Sequence, residues 1–393
     1  DTNLDIFVAK FDSDNPRKGK SGFLMSSSDV SIYDGTFKLS DENKENSNGL
    51  HFNDLNINAT NFLINASDVS ARINTLAFVD SRGTAIKNLM TNFSYTLTDM
   101  TFDDLEIQTE NSILKGNVKF EYDRADLQFF TDSVYVAANF KESDIALNEL
   151  NTFYDEFGAN QKAKLSVNLT GKLNDLKATN LRLNTSRNTR VYGDINFKNL
   201  FNSQDDNFFM DGKFSNLSSN YRDLKALLPN VLGAAIPSSF EKLGNFRIVG
   251  NSQITSTTIL ADVEINTELG FIDSNIEMTK INDIDNASYK GNIIFDEFNI
   301  GTFLNDPKLN VTSLNLDIDG KGFAWNNIDT EIVGNIFLIE YNDYVYKGID
   351  VSGNLKRNIF NGKLVSNDEN LKLNFDGLAN FSEAIYSFDF VAD

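Results

Sequence analysis

Apolar and polar residues alternate along most of this chain. One run places Leu165, Val167 and Leu169 at every second position with serine and asparagine between them, and similar runs recur to the end of the sequence. Because successive side chains of a β-strand point to opposite faces, the pattern predicts strands with one apolar and one solvated face. Such strands are typical of antiparallel sheets. We therefore expect a mostly β fold.

Glycines punctuate the alternating runs, with polar neighbours around Gly116, Gly193, Gly291, Gly320 and Gly362. Glycine in this setting is a turn signal between strands. Some of these glycines stand inside a run, where they predict bulges or bends that let a sheet curve.

Three short stretches replace the alternation with helical spacing, at residues 145–157, 221–243 and 298–304. Each is followed by alternating strands that end at a glycine. Those glycines are Gly171, Gly250 and Gly320. A recurrence at roughly 70–80 residues indicates an internal repeat whose units stack on their neighbours. The helices are too short to be stable alone, so we expect them to dock on the sheet.

The second helical stretch carries its own boundary signals. Asn220 is a suitable N-cap and Pro229 a stop signal, so a first short helix is predicted between them. The segment that follows, PNVLGAAIPSSFEKLG (229–244), predicts two short helices broken at Pro237, with Ser238 or Ser239 as a cap.

Composition gives no sign of separate domains. The 393 residues are 41% hydrophobic, which suits a folded chain, and they include only four prolines. We expect one continuous segment over residues 1–393, in which residues 1–143 form a less clear β region and residues 144–393 carry the repeats. The 33 phenylalanines suggest an extensive apolar surface without polar tips.

Charge and residue usage exclude several functions. The net charge of −21 argues against nucleic acid, because a phosphate-binding face needs clustered lysine and arginine. Cysteine is absent and His51 is the only histidine, which removes cysteine metal sites and histidine clusters. No nucleophile elbow or phosphate-binding loop is present, and the acidic stretch at 41–48 lacks the spacing of an EF-hand. We expect no enzymatic activity, no cofactor and no metal site.

The ends of the chain suggest a piece of a longer protein. LDIFVAK near the start and SFDFVAD at the finish both have the pattern of a strand, and no run of about 18–20 apolar residues could span a bilayer. Asp132-Ser133-Val134 resembles the three-residue O-glycosylation signal of exported proteins of the Bacteroidota. Ser133 is therefore a candidate glycosylation site.

Three segments resemble the repeated unit of TamB-like proteins of the Bacteroidota, within the AsmA-like group of repeating β-groove proteins. They are YKGNIIFDEFNIGTFLNDPKLNVTSLNLDIDGKGF (289–323), DLKALLPNVLGAAIPSSFEKLGNFRIVGNSQI (223–254) and YNDYVYKGIDVSGNLKRNIFNGKLVSNDENLKLNFDG (341–377). The resemblance rests on glycine and apolar patterns and is clearer after residue 144 than before it.

This resemblance implies a fold, a location and partners. The fold would be an elongated, curved, taco-like antiparallel sheet with an apolar groove and a few short amphipathic helices. Such proteins lie in the periplasm, are anchored in the inner membrane by an N-terminal helix that this chain lacks, and meet an Omp85-type (TamA-like) outer-membrane barrel. The implied function is bridge-like transfer of phospholipid between the two membranes. The alternative is assembly or translocation of outer-membrane proteins.

Without the resemblance, the alternation fits a packed β-sandwich as well as an open groove, since either arrangement uses a one-sided sheet. If the groove forms, its lining comes from the apolar positions of the alternating runs. The predicted lining residues are Leu165, Val167, Leu169, Phe246, Ile248, Leu314, Leu316, Ile318, Leu371, Leu373 and Phe375. A structural or adhesive repeat protein with a packed core remains a further alternative.

Overall fold

A computed structural model describes most of the chain, and its residues group into two compact units. Unit 1 comprises Asp1–Asp155 and Asn160–Leu183, and unit 2 comprises Glu156–Ala159 and Asn184–Asp393. The expected single continuous segment stays a prediction. The described residues are 23–39, 50–81, 83–152, 157–201, 207–229, 238–283, 286–323, 327–380 and 387–392.

Unit 1 is built from long strands that pair in chain order. Each described pair is antiparallel, and β3 also pairs with both β4 and β5. The end of β10 belongs to unit 2. The strands are β1 (Leu24–Leu39), β2 (Leu50–Asn65), β3 (Asp68–Asp80), β4 (Ala85–Ile86), β5 (Asn88–Tyr95), β6 (Asp99–Gln108), β7 (Ile113–Glu121), β8 (Tyr135–Ala146), β9 (Lys162–Lys172) and β10 (Asp175–Thr185).

Unit 2 repeats the same arrangement. From β11 onward each strand pairs antiparallel with the next strand in the chain. The strands are β11 (Arg190–Lys198), β12 (Phe209–Asn220), β13 (Asn245–Thr255), β14 (Thr258–Thr267), β15 (Gly270–Thr279), β16 (Ser288–Asn299), β17 (Leu309–Lys321), β18 (Asp329–Tyr341), β19 (Tyr344–Lys356), β20 (Ile359–Asn367), β21 (Lys372–Asn380) and β22 (Ser387–Ala392).

The helices are few and short, as expected. They comprise three 3₁₀ helices and three α-helices in the described part of the chain. The 3₁₀ helices are Arg124–Phe129, Leu147–Thr152 and Ser238–Leu243, and the α-helices are α1 (Phe130–Ser133), α2 (Tyr221–Leu227) and α3 (Ile300–Leu304). The prediction of a mostly antiparallel β fold with a few short helices is therefore confirmed.

The helix boundaries differ in detail from those predicted. The first predicted helix is a single 3₁₀ helix, and its later residues 153–156 lie outside the described residues. The Asn220 cap is confirmed, since its side chain accepts a hydrogen bond from the Asp223 amide at 2.8 Å. The proposed break at Pro237 lies outside the described residues, as does the strand predicted from LDIFVAK. The third helix begins at Ile300, two residues after its predicted start, because Phe298 still pairs with Thr312 of β17.

The glycines taken as turn signals lie inside strands. Gly116, Gly193, Gly291, Gly320 and Gly362 all fall within strand bounds, so a turn at these positions is wrong. A register shift accompanies Gly116 and Gly193, as expected of a bulge. Gly291 has φ of 150°, and a Cβ there would collide with the carbonyl oxygen of Asn275 on the neighbouring strand. Only glycine allows the two backbones to approach in this way.

A second kind of strand irregularity, a β-bulge at an acidic residue, was not predicted from the sequence. Acidic residues inside strands adopt the left-handed conformation, with φ of 51° at Asp104, 48° at Glu142 and 47° at Glu297. Each shifts the pairing register, which is the signature of a β-bulge. The freed amide bonds a side chain on the next strand: Asp104 N donates to Asn117 Oδ1 (2.9 Å), Glu142 N to Ser166 Oγ (3.1 Å) and Glu297 N to Ser313 Oγ (3.0 Å).

The bulges and the helices form one recurring motif. Register shifts occur late in β8, β12 and β16, and each of these strands runs directly into a helix. A bulge increases twist and redirects the strand that follows it. The repeat inferred from the sequence therefore corresponds to four strands, of which the last is bulged and ends in a helical turn.

Candidate functional site

Strand register places several predicted lining residues in one row. Residues directly opposite each other in antiparallel strands share a face, so a chain of direct partners marks a row across the sheet. Ile248 and Leu314, both predicted, belong to the same row of large apolar residues in unit 2. This set, here called the apolar row, is Ile248, Ile265, Ile272, Phe295, Leu314, Ile336 and Ile349.

The next two rows on this face combine large with small residues. Across β13–β16 and β18–β21, every strand has glycine, alanine or serine in at least one of them. These small residues are Gly250, Ser252, Ala261, Ser274, Gly291, Gly334, Gly353, Gly362 and Gly377. Strand β17 differs, since it carries Leu316 and Ile318 there. Reading single strands could not reveal this pattern, because it depends on the register between strands.

Large neighbours fill the space beside some of these small residues. A Cβ at Gly353 would lie 2.8 Å from the Phe360 ring, and a Cβ at Gly212 would lie 2.7 Å from the Phe214 ring. At Gly250 and Gly291 the nearest atoms are instead backbone of the adjacent strand. Rings of the sheet thus lie beside some of these small residues, whereas Gly250 and Gly291 lie against the backbone of the neighbouring strand.

Burial of the predicted residues in unit 2 is uneven. Leu314 (6% exposed) and Phe375 (5%) are buried, whereas most of the others keep intermediate exposure. The half-buried ones are Phe246, Ile248, Leu316, Ile318, Leu371 and Leu373. Leu316, Leu373 and Phe375 belong to one apolar cluster centred on Val351 and Phe360. Strand register and packing therefore bring together Ile248, Leu314, Leu316, Ile318, Leu373 and Phe375.

Two predicted residues of unit 2 lie at the margin of this arrangement. Phe246 stands opposite Ser219 and Thr267, so it begins a polar row. Leu371 precedes β21 and its amide donates to the Asp368 carbonyl at 3.3 Å.

The remaining predicted residues belong to unit 1. Leu165, Val167 and Leu169 lie on β9 and face Ser143, Phe140 and Ala138 of β8. Val167 is buried, whereas Leu165 and Leu169 are half-buried. These three residues share one face of β9.

Short helices cover part of the apolar face in unit 2. Leu243 at the end of a 3₁₀ helix and Ile300 and Phe303 of α3 pack in one cluster with Ile272 and Phe298 of the sheet. Phe298 is 1% exposed and is the largest of the fully buried side chains in the described residues. The expectation that the helices dock on the sheet is confirmed for these two.

In unit 1 the apolar face is lined by aromatic rings. The ring centroids of Phe93 and Phe102 are 5.2 Å apart, those of Phe102 and Phe120 are 6.2 Å apart, and Phe130 of α1 lies 5.3 Å from Phe120. These separations suit favourable ring contacts. This set of four residues is here called the phenylalanine ladder.

The opposite face of unit 2 is polar and charged. Lys290 pairs with Asp319 at 2.8 Å, and this hydrogen bond raises the pKa of the lysine. A shallow cavity of about 450 Å³ lies beside the pair, lined also by Asn275, Asn292 and Glu331. The contrast between the two faces fits the amphipathic strands predicted from the sequence.

The candidate glycosylation site Ser133 is the last residue of α1. The serine is half-buried, and the preceding Asp132 accepts hydrogen bonds from Asn174 Nδ2 (2.8 Å) and Thr131 Oγ1 (2.9 Å), which lower the pKa of its carboxyl. These hydrogen bonds fix the aspartate side chain next to Ser133 in the sequence. Glycosylation of Ser133 stays a prediction.

Other kinds of site are not found in the described residues. Within them, acidic and histidine side chains form no group of three or more that could hold a metal ion. No helix in the same part of the chain has both the length and the apolar character needed to cross a bilayer.

No known protein family, curated protein or solved structure matches this chain. The resemblance to TamB-like proteins therefore stays a prediction.

Proposed function

We propose that this chain transfers phospholipid, with acyl chains lying on the apolar face of its sheet. The proposed setting is the periplasm, between the inner membrane and an outer-membrane partner of the Omp85 (TamA-like) class. The location and the partners follow from the resemblance of the repeats. The lipid-binding surface follows from the apolar face of unit 2.

The observation that supports this proposal is that several apolar side chains in the middle of strands of unit 2 stay half-exposed. All strands of unit 2 lie in one sheet, so within the described residues no separate sheet covers that face. Leu316, Ile318 and Ile332 keep intermediate exposure in the middle of their strands, where a sandwich would bury them. An apolar surface of this kind is a binding surface for an apolar ligand.

The proposed mechanism is passive movement along the face. Each methylene removed from water contributes about 0.8 kcal/mol, so a pair of acyl chains has ample driving force to bind. Exchange between adjacent positions requires that their energies be similar. A lining of isoleucine, leucine and valine meets this requirement because it offers no polar pocket that would hold the lipid at one place.

A second candidate function is assembly of outer-membrane proteins. Strand β1 favours it, because in the described residues β1 pairs only with β2 and leaves its other edge open. Leu24 is 64% exposed and Tyr33 is 77% exposed on this strand. An open strand edge with apolar side chains is suited to pairing with an extended segment of another protein.

A charge on the apolar face tests the first proposal. Leu316→Asp should abolish the bound phospholipid that native mass spectrometry detects after gentle purification, because a carboxylate would have to be desolvated beside the acyl chain. The matched control is Asn315→Asp, one residue away on the polar face of the same strand. It should keep its lipid.

Three outcomes separate the functions. Lipid loading that survives Leu316→Asp in a protein with an unchanged unfolding temperature would contradict the lining proposed here. Bound peptide in place of lipid would support assembly. A protein with neither ligand, and with its lining residues inaccessible to solvent, would support a purely structural role.

A further inference from the structure

Two helical segments cover one margin of the apolar face in unit 2. They are the 3₁₀ helix Ser238–Leu243 and α3, together called the helical strip. Strand β16 runs straight into α3, and Gly244 alone separates the 3₁₀ helix from β13. At these two junctions the strip joins the sheet with almost no connecting chain.

Both ends of α3 are fixed by hydrogen bonds. Asn299 Oδ1 accepts from the Thr302 amide at 2.8 Å, and the Asn299 amide donates to the Leu269 carbonyl at 2.7 Å. At the other end Asn305 adopts the left-handed conformation (φ 58°), and the Asp306 amide returns to the Gly301 carbonyl at 3.0 Å. A helix of five residues is held in this way at its first and last turn.

The 3₁₀ helix is fastened to α3 and to the sheet. Lys242 Nζ donates to the Phe303 carbonyl at 2.6 Å, at the end of α3 where its carbonyls need donors. The Leu243 carbonyl accepts from the Glu268 amide at 3.0 Å in the turn between β14 and β15. Opening the strip would break these bonds together.

A continuous apolar contact lies beneath the strip. The rings of Phe295 and Phe298 are 4.5 Å apart, those of Phe298 and Phe303 are 5.8 Å apart, and Phe240 lies 6.4 Å from Phe303. Moving the strip away would expose Phe298 and Ile272, which are 1% and 8% exposed. The hydrophobic cost adds to the broken hydrogen bonds.

We infer that the helical strip is a fixed wall of the apolar face and not a gate. Lipid then reaches the face of β13–β15 from the opposite margin, where Ile254, Ile259 and Met278 are half-buried. The wall is inferred from packing and hydrogen bonds alone, whereas lipid entry from the opposite margin rests on the proposed function.

The absence of cysteine permits a direct test, since an introduced thiol is the only one in the chain. Ile272→Cys places a thiol beneath the strip. The matched control is Ile276→Cys, on the same strand and the same face but outside the cluster under the strip. Because a fixed wall opens rarely, the thiol at 272 should react with a maleimide at least about tenfold more slowly than the thiol at 276.

The same variants separate this inference from the proposed function. Phosphatidylethanolamine vesicles should slow labelling at 276 and leave labelling at 272 unchanged. Equal labelling rates at the two positions would overturn the fixed wall. Slow labelling at 272 with no vesicle effect at 276 would leave the wall standing and contradict the lipid-binding proposal. If Ile272→Cys fails to fold, Ile265→Cys of the same cluster replaces it, with the same two outcomes.

Discussion

The two units share a strand arrangement but fill their apolar faces differently. Unit 1 uses the phenylalanine ladder, in which rings of neighbouring strands touch each other. Unit 2 uses the apolar row of mainly aliphatic side chains, beside two rows in which small residues recur. A ring can cover neighbouring backbone, whereas a glycine leaves backbone open or lets strands come close. The same strand arrangement can thus carry an apolar face of packed rings or one of aliphatic and small side chains.

The largest difference is expected from a ring-to-alanine substitution in each unit. Phe298→Ala in unit 2 should lower the free energy of unfolding by about 3–5 kcal/mol, because the ring is fully buried beneath the strip. Phe102→Ala in the ladder should cost about half as much, since that ring is half-buried. Urea unfolding of both variants measures the difference. Equal costs would mean that the two apolar faces are equally well packed, and the comparison would fail.

A glycine-to-alanine substitution in each unit compares how closely neighbouring backbones approach. Gly291→Ala should cost about 2–4 kcal/mol, since φ of 150° and the carbonyl of Asn275 both oppose a Cβ. The control is Gly83→Ala in unit 1, where φ is 87° but no atom lies within 4 Å. It should cost only about 1–2 kcal/mol of conformational strain. A cost at Gly291 no greater than that at Gly83 would contradict the close strand approach.

The smallest effect concerns acid stability in unit 1. Burial raises the pKa of Glu149, but hydrogen bonds from Ser112, Thr109 and Asn111 outweigh burial, so its pKa is lowered. The carboxylate therefore stabilises the fold above the pKa of an unfolded glutamate, and this contribution is lost as pH falls through the lowered folded-state value. Among the described hydrogen bonds of unit 2, none links a carboxylate on a 3₁₀ helix to the turn between two strands in this way.

Glu149→Gln tests this directly. At neutral pH it should cost about 1 kcal/mol, because a charged acceptor is replaced by an amide. The difference between the variant and the parent should shrink as pH falls below the pKa of an unfolded glutamate and disappear below the lowered folded-state pKa, as followed by thermal unfolding at several pH values. A cost that stays constant with pH would show that the carboxylate charge contributes nothing.

The sequence predicted the strands well because alternation is a local signal. Residues SFDFVA of the final predicted strand form β22, and Asn220 caps α2 as expected. The bulges at Asp104, Glu142 and Glu297 were missed, because an acidic residue in a strand normally indicates only the solvated face. Their left-handed conformation depends on an asparagine or serine supplied by the next strand.

The candidate site was predicted only in part. Alternation identified Leu314 and Leu316 as apolar positions, but it could not say which residues of other strands stand beside them. Gly334 and Ile336 complete their rows through register, which the turns and bulges set. The covering of Phe298 by the helical strip could not be predicted from local spacing either, because Leu243, which covers it, lies far away in the chain.

Pairing of each strand with its neighbour in the chain has a consequence for how such a sheet changes over evolutionary time. Contacts between strands close short loops, so each hairpin can form without waiting for distant parts of the polypeptide. Duplicating or deleting a block of four strands with its helical turn would alter the length of the protein without changing how the remaining strands are connected. The architecture is therefore suited to growth by tandem duplication, one block at a time.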